Sequence, residues 1–331
     1  MTVMKRETVD ALSVHPGGVY VDVTLGGGGH TEAILEAAPD ARVLAFDRDP
    51  AALAWARTRL ERFGTRLQCI HAAFSEVEAR LDEMGFDEVD GVVADLGVSS
   101  IQLDDPTRGM SFRAEGPLDM RMDPTRGETA VELIERLDSD ELADILFHYG
   151  DERRSRRIAR CIKQASDAGE LVTTLDLRRA VVRAVGPARV GGVDPATRTF
   201  QAIRIAVNGE LDELNALLVM LNKRVKIGGV ASILSFHSLE DRQVKRAFHD
   251  RSLWQQLTKK PRTASEEELA TNPRARSAKH RAARRIDEAD PAYDDTPLSS
   301  SRRYLTSIPP PSSSSDGPDD SDDDGFEDEL S

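Results

Sequence analysis

The chain lacks the marks of a secreted, metal-stapled or membrane-spanning protein. Its 331 residues hold two cysteines, Cys69 and Cys161. They lie far apart and in no C-x-x-C pair, which argues against a disulfide framework or a zinc site and fits a reducing compartment. The opening Met1-Thr2-Val3-Met4-Lys5-Arg6-Glu7 has no apolar segment of the signal-peptide kind. No run approaches the roughly 20 apolar residues of a membrane span. No internal repeat is present. A cytoplasmic protein without membrane contact is expected, and at 39% hydrophobic it can bury a sizeable core in one large domain or two ordinary ones.

Net charge is scarce over most of the chain and concentrated at its end. The formal net charge is −14. Residues 287–331 carry 14 acids against 2 arginines, so the rest sums to only −2. Just before that tail, residues 242–285 carry 13 Lys/Arg against 4 acids. A basic block of this kind is often solvated surface, but it can also follow a phosphate backbone. The tail itself, rich in Pro, Ser and Asp, cannot bury a core and is expected to be disordered.

What is plentiful is glycine at one place. Val19-Tyr20-Val21-Asp22-Val23 reads as a strand, the stretch through Gly26-Gly27-Gly28-Gly29 as a loop, and the stretch from Thr31 onward as a helix. Glycines let a backbone approach a ligand closely, and a helix N-terminus adds free N–H groups. A second strand ends in Asp47, 21 positions after Gly26, where an acid accepts hydrogen bonds from ribose hydroxyls. The spacing is not G-x-G-x-x-G: the third position falls on Thr31 or Glu32. That disfavours a dinucleotide oxidoreductase. Asp22, just before the loop, would repel a pyrophosphate and suits a ligand with positive charge, such as S-adenosylmethionine.

Strands are expected at Val19–Val23, Arg42–Phe46, Arg66–Ile70 and Val89–Ala94, with helices at Thr31–Ala38, Pro50–Phe63 and Phe74–Met84 between them. This alternation implies a parallel, doubly wound sheet that binds ligands at the carboxyl ends of its strands, where Asp22, Asp47 and Asp95 fall. Strand signals then vanish. Helical pieces at Thr129–Leu137, Ser139–Tyr149, Glu152–Ala168 and Thr174–Val185 suggest an inserted helical domain. A long helix is expected over Thr199–Arg224, stopped by Gly228-Gly229, then a strand at Val230–Phe236 and a helix at Leu239–Asp250. Gln255–Lys259 and Ser277–Arg284 are candidates for a last strand pair. The expected division is 1–103 and 197–286 for the α/β domain, 104–196 for the inserted domain and 287–331 for the tail.

Five polar strings are not explained by fold alone. They are Asp95-Leu96-Gly97-Val98-Ser99-Ser100-Ile101-Gln102-Leu103-Asp104; Arg108-Gly109-Met110-Ser111-Phe112 with Gly116-Pro117-Leu118-Asp119-Met120-Arg121-Met122; Phe200 to Asn208; Ser235-Phe236-His237-Ser238-Leu239-Glu240-Asp241-Arg242; and Asn272 to Lys279. Together, over about residues 5–285, they resemble the MraW/RsmH family of bacterial ribosomal RNA methyltransferases. The chain departs from that family in opening Met1-Thr2-Val3-Met4 without the family's early histidine, in a short stretch from Arg251 to Asn272, and in the acidic tail.

The resemblance implies a Rossmann-like, class I S-adenosylmethionine-dependent methyltransferase with an inserted helical domain. It implies methylation of N4 of a cytosine in the decoding region of 16S rRNA, with that rRNA in the small ribosomal subunit as partner, and it leaves a homodimer open. It implies cofactor contacts at Gly28, Gly29, His30, Asp47, Phe74, Asp95 and Gln102. The residue pattern by itself supports the glycines, Asp47 and Asp95, and singles out neither Phe74 nor Gln102.

For the acceptor side, Asp95 with the Ser99-Ser100 turn is expected to shape the methyl-transfer pocket. His237 and Ser238 are placed to contact the cytosine; the plainer alternative is that His237 packs or caps, with Ser238 as the N-cap of the next helix. Arg153, Arg154, Arg156, Arg157 and Arg160, and separately Arg274, Arg276, Lys279, Arg281, Arg284 and Arg285, are candidate phosphate contacts. Two other functions remain open. One is an amino-methyltransferase acting on DNA or free nucleotides, disfavoured for DNA because Asp95-Leu96-Gly97-Val98 replaces the Pro-Pro-aromatic loop. The other is a non-catalytic ribosome-assembly factor, which a degraded glycine loop or a lost Asp47 would favour.

Overall fold

A computed structural model describes residues 2–187 and 194–287. The acidic tail, apart from Asp287, lies outside the described residues. In chain order the elements are α1 (Lys5–Leu12), β1 (Val19–Asp22), α2 (Gly29–Ala37), β2 (Arg42–Asp47), α3 (Pro50–Arg59), β3 (Leu67–His71), α4 (Val77–Glu83), β4 (Val89–Asp95) and α5 (Ser100–Asp104). The helical stretch follows as α6 (Ala130–Arg136), α7 (Ser139–Gly150), α8 (Ser155–Asp167), α9 (Thr174–Val185), α10 (Thr197–Asn208) and α11 (Glu210–Arg224). The chain then returns to the sheet with β5 (Val225–Ser235), α12 (Ser238–Ala247), β6 (Trp254–Gln256), α13 (Glu266–Thr271) and β7 (Lys279–Arg285).

One seven-stranded sheet runs β3-β2-β1-β4-β5-β7-β6. The first five strands are parallel, and β7 and β6 close the edge antiparallel. Central strands of a parallel sheet are covered on both faces, so they read as near-continuous apolar runs. Side chains alternate between the faces with period two. Val21, Leu44, Phe46, Val92 and Ile233 therefore join one core, with α4, α11 and α12. Tyr20, Val43, Ala45, Val93 and Val230 join the other, with α1, α2 and α3.

A third core belongs to the helical stretch. Leu133, Leu142, Leu146, Ile158, Ile162, Leu177 and Val181 are buried together, and Phe200, Ala202 and Ile203 of α10 complete the same cluster. α8 shows why such helices form: Ile158, Ala159, Ile162 and Ala165 recur at helical spacing on the buried face, and arginines occupy the other.

Three sequence expectations are corrected. The long helix over Thr199–Arg224 is two helices, because Gly209 at φ 57° turns the chain between α10 and α11. Gly228-Gly229 does not stop a helix; it lies inside β5, where the pairing with β4 shifts register. The helix opening at Pro50 ends at Arg59 and is followed by a 3₁₀ turn over Glu61–Arg66.

Candidate active site

The carboxyl ends of β1, β2 and β4 meet the glycine loop around a cavity of about 700 Å³. Gly26, Gly27, Gly29 and His30 line one side, with Asp47 and Phe74. Asp95, Ser99, Ser100 and Gln102 line another, with Phe236 beyond the end of β5. The sequence strings thus converge on one space because parallel strands deliver all their carboxyl ends to one edge.

The loop is held from three directions. Asp47 Oδ2 accepts from the Gly26 N–H at 2.7 Å, and its Oδ1 accepts from the Asp49 N–H at 2.8 Å. Each carboxylate oxygen keeps a second lone pair, so ribose hydroxyls can still be bound. Burial pushes Asp47 up to about 6, against the pull of those two N–H groups. Behind the loop, Asp22 is fully buried and accepts from Thr24 N–H at 3.0 Å and Thr31 hydroxyl at 2.7 Å. It does not line the cavity, so the sequence argument that Asp22 itself meets a cationic ligand is corrected: it ties the strand end to α2. The third support is the N-terminal segment. Thr2 presses so closely on Gly29 that a Cβ there would lie 1.8 Å from the Thr2 hydroxyl.

His30 is buried, and burial lowers it to about 4, so the ring is neutral at ordinary pH. Its Nε2 lies 3.2 Å from the Val3 carbonyl and donates to it, which leaves the lone pair on Nδ1. That nitrogen faces Asp95 Oδ2 at 3.9 Å. Asp95 is pushed up to about 8 by burial first, then by the charges of Asp22 and Glu240. A quarter of its side chain remains exposed, at the cavity.

Among the described residues Asp95 Oδ1 is buried with no hydrogen-bond partner. A buried acceptor without a donor is costly unless something supplies one. The exposed part of the same carboxyl borders the cavity, where the ammonium of a methionine moiety brings the charge an acid favours. The residues therefore fit S-adenosylmethionine.

The other implied site residues are placed as follows. Gly28 opens α2 at φ 73° and does not line the cavity. Phe74 is half-buried against the first core and borders the cavity. Gln102 is buried, with both ends of its amide used: Oε1 accepts from Ser99 N–H at 2.9 Å, and Nε2 donates to Asp49 Oδ2 at 2.9 Å. Ser99 caps α5 in the same reciprocal arrangement, and Ser100 is the first helical residue. His237 and Ser238 do not line the cavity. His237, and not Ser238, caps α12: its Nδ1 accepts from Glu240 N–H at 3.4 Å, and Glu240 returns bonds to the N–H groups of Phe236 and His237.

Residues that the pattern did not single out also border the cavity. Trp55 stands half exposed at the glycine loop with Arg59 over its ring, and nothing in its local sequence marked it. Arg204 and Phe236 lay within two of the strings, but their spacing carried no sign of direction. Arg204 holds Glu210 with two bonds of 2.7 and 2.9 Å and so neutralises an acid that lies beside Glu240 and His237.

A parallel sheet of this order, with a glycine loop after β1 and acids closing β2 and β4, defines a Rossmann-like S-adenosylmethionine-dependent methyltransferase. The chain belongs to the MraW methylase family, whose profile matches residues 1–286. It is similar to the ribosomal RNA small subunit methyltransferase H of Sorangium cellulosum, 66% identical over 290 residues, which cover 88% of this chain and 92% of the relative. Its namesake in Cyanothece sp. is 50% identical over 285 residues, covering 86% and 94%. The one in Methylobacterium nodulans is 44% identical over 309 residues, covering 87% and 91%. Among solved structures, an rRNA methylase from Streptococcus thermophilus is similar at 13% identity with a TM-score of 0.38, covering 86% of this chain and 100% of that one.

Proposed function

We propose that this chain methylates N4 of a cytosine in the decoding region of 16S rRNA, within the small ribosomal subunit. The observation that carries the reading is the single cavity shared by Gly26, Asp47 and Phe74 on one side and Asp95, Ser99 and Phe236 on the other. Relatives named for small-subunit rRNA methylation support the substrate class.

S-adenosylmethionine, when bound, supplies a methyl group on a cationic sulfur. In this reading Asp47 holds the ribose and Phe74 borders the adenine. Gly29 and His30 shape the wall that the methionine portion follows, with Gly28 capping α2 behind them, and Gln102 fixes the α5 turn beside it. Asp95 faces the acceptor. The amino nitrogen of cytosine is a poor nucleophile because its lone pair is delocalised into the ring. A carboxylate accepting from its N–H favours rehybridisation and then takes the proton. A cation beside Asp95 stabilises its carboxylate, so ligand binding readies the acceptor. Ser99 and Ser100 set the shape of the pocket at the amino group. The target base leaves its stack to enter, and the inserted helical segment 104–196 grips the surrounding RNA.

The test is methyl transfer from labelled S-adenosylmethionine to unmodified small ribosomal subunits, followed by nucleoside analysis. N4-methylcytosine in 16S rRNA is the expected product. Methylation of duplex DNA or free nucleotides instead would replace this reading, and cofactor binding without any transfer would favour a binding role.

A further inference from the structure

Most basic side chains near the cavity are already committed to acids. Arg59 and Arg62 both hold Glu32. Four of the six basic residues singled out near the end of the sequence are committed too, while Arg276 and Arg284 make no side-chain ion pair or hydrogen bond among the described residues. Arg274 pairs with Asp104 at 2.5 Å, and Lys279 and Arg281 both reach Asp241, at 3.4 and 2.7 Å. Arg285 donates to the carbonyls of Leu253 and Ile286. An arginine held in this way has little left for a phosphate.

Helix α12 is different. Arg242, Lys245 and Arg246 are all exposed, and among the described residues none of them makes an ion pair or a hydrogen bond. Their spacing of three and four places them side by side on one helix face. The opposite face is anchored by Val244 and by Glu240, both buried. Like charges at this spacing work against a helix. The helix C-terminus favours Lys245 and Arg246 in the last turn but does nothing for Arg242.

The position of the face matters as much as its charge. α12 begins at Ser238, two residues after Phe236, which borders the cavity. From Ser238 to Arg246 the helix axis rises about 12 Å. The row of free cations thus lies six to ten residues beyond the cavity-lining Phe236. The cavity itself presents the carboxyls of Asp47 and Asp95, which offer acceptors and no donors suited to a phosphate. A nucleotide entering it therefore needs its backbone held by cations outside.

We propose that the Arg242–Lys245–Arg246 face of α12 binds the RNA phosphodiester backbone beside the target nucleotide, a role that Arg274, Lys279 and Arg281, paired with acids, are less free to take. The proposal rests on the rRNA reading above. Each phosphate contact contributes to the salt dependence of binding, because counterions are released from the backbone. α12 is thereby a positioning element: it governs how the substrate docks and leaves the methyl-transfer chemistry to the cavity.

The experiment compares the full chain with the triple variant Arg242→Gln, Lys245→Gln, Arg246→Gln. Glutamine keeps helix propensity, and circular dichroism checks the fold. Binding to unmodified small subunits is measured by filter retention between 50 and 200 mM salt, alongside methyl transfer and cofactor affinity. The expected result is a log–log salt slope shallower by roughly 2 to 3, with the KM for subunits raised at least tenfold at the higher salt. Cofactor affinity and kcat at saturating subunits should stay within about threefold. An unchanged slope overturns the proposal. So does an equal loss per charge in the control Lys259→Gln, Lys260→Gln, which removes two other exposed cations. Failure of the wild-type chain to methylate subunits defeats the functional reading instead, and the binding slopes still decide the question of the surface.

Discussion

The Nδ1 of His30 lies 3.9 Å from Asp95 Oδ2, while Nε2 of the same ring faces the Val3 carbonyl at 3.2 Å. The N-terminal segment therefore decides which ring nitrogen keeps its lone pair, and that lone pair faces the acid. Two acceptors facing one another discourage negative charge on Asp95, in addition to the burial and the neighbouring acids that raise it to about 8.

Affinity for the cationic cofactor should consequently rise with pH. A cation prefers the Asp95 carboxylate, and below about 8 the free protein holds a proton there that binding must expel. Titration calorimetry between pH 6 and 8 should show the dissociation constant falling by up to about tenfold per pH unit, with proton release on binding. Asp95→Asn should flatten that dependence and abolish methyl transfer. A flat profile in the wild type would refute the coupling.

The same shift carries a stability consequence. Asp95 titrates higher in the folded chain than in the unfolded one, where its value is ordinary. Its favourable contribution is present at and below the unfolded value and is lost as pH rises through about 8. Asp22 and Asp47, both raised to about 6, add losses of the same sign at lower pH. The melting temperature without ligand should fall from pH 5 to pH 8.5. Asp95→Asn should melt higher than wild type at the upper end, the trade-off expected where function requires a buried charge.

Asp47 offers a direct check of the cofactor side. Asp47→Ala removes the acceptor for the ribose and also frees the Gly26 and Asp49 N–H groups that hold the loop. Hydrogen bonds to a charged acceptor are each worth about 1.5 to 3 kcal/mol, so cofactor affinity should fall at least about tenfold. Calorimetry would show it; unchanged affinity would remove Asp47 from the site.

His237 separates capping from contact with the base. His237→Ala should cost about 1 kcal/mol through the lost N-cap, and His237→Asn should recover most of it. Turnover is expected to recover with stability in the asparagine variant. Turnover lost equally in both variants, with stability restored in one, would return His237 to the acceptor site.

Arg108 tests how the two halves are joined. Its guanidinium meets Asp49 Oδ2 at 2.7 Å, with both side chains largely buried, and it also donates to the carbonyls of Arg121 and Met122. Asp49 is in turn held by Gln102 and caps α3. Arg108→Ala leaves a buried acid short of its main partner and should destabilise by about 3 kcal/mol in urea unfolding. A loss below about 1 kcal/mol would show that Gln102 alone suffices.

Much of this molecule is local and so legible in the chain. The β1 run followed by four glycines, Pro50 at the first turn of α3, and apolar spacing in α6 to α9 each rest on contacts between near neighbours. The parallel order of the first strands followed from alternation, and the acids at strand ends followed from that order. The break at Gly209 was not legible, because a glycine inside a helical pattern looks tolerable until packing on both sides demands a turn. The partners of Gln102 and the exposure of Trp55 were equally hidden, since they depend on α3 and α5 meeting across some 50 residues of sequence.

The amino-acid sequence by itself determined the strand–loop–helix order, the acids at the strand ends and membership of a methylase family, because these are matters of spacing along the chain. Only the tertiary structure decided which charges are free. Among the described residues, Asp22 turned inward to Thr31 while Asp95 was left with an unpartnered oxygen, and Lys279 and Arg281 of β7 found Asp241 while the cations of α12 found no acid. Composition counts charges, but whether a charge is neutralised depends on distances of a few ångströms, which only folding sets.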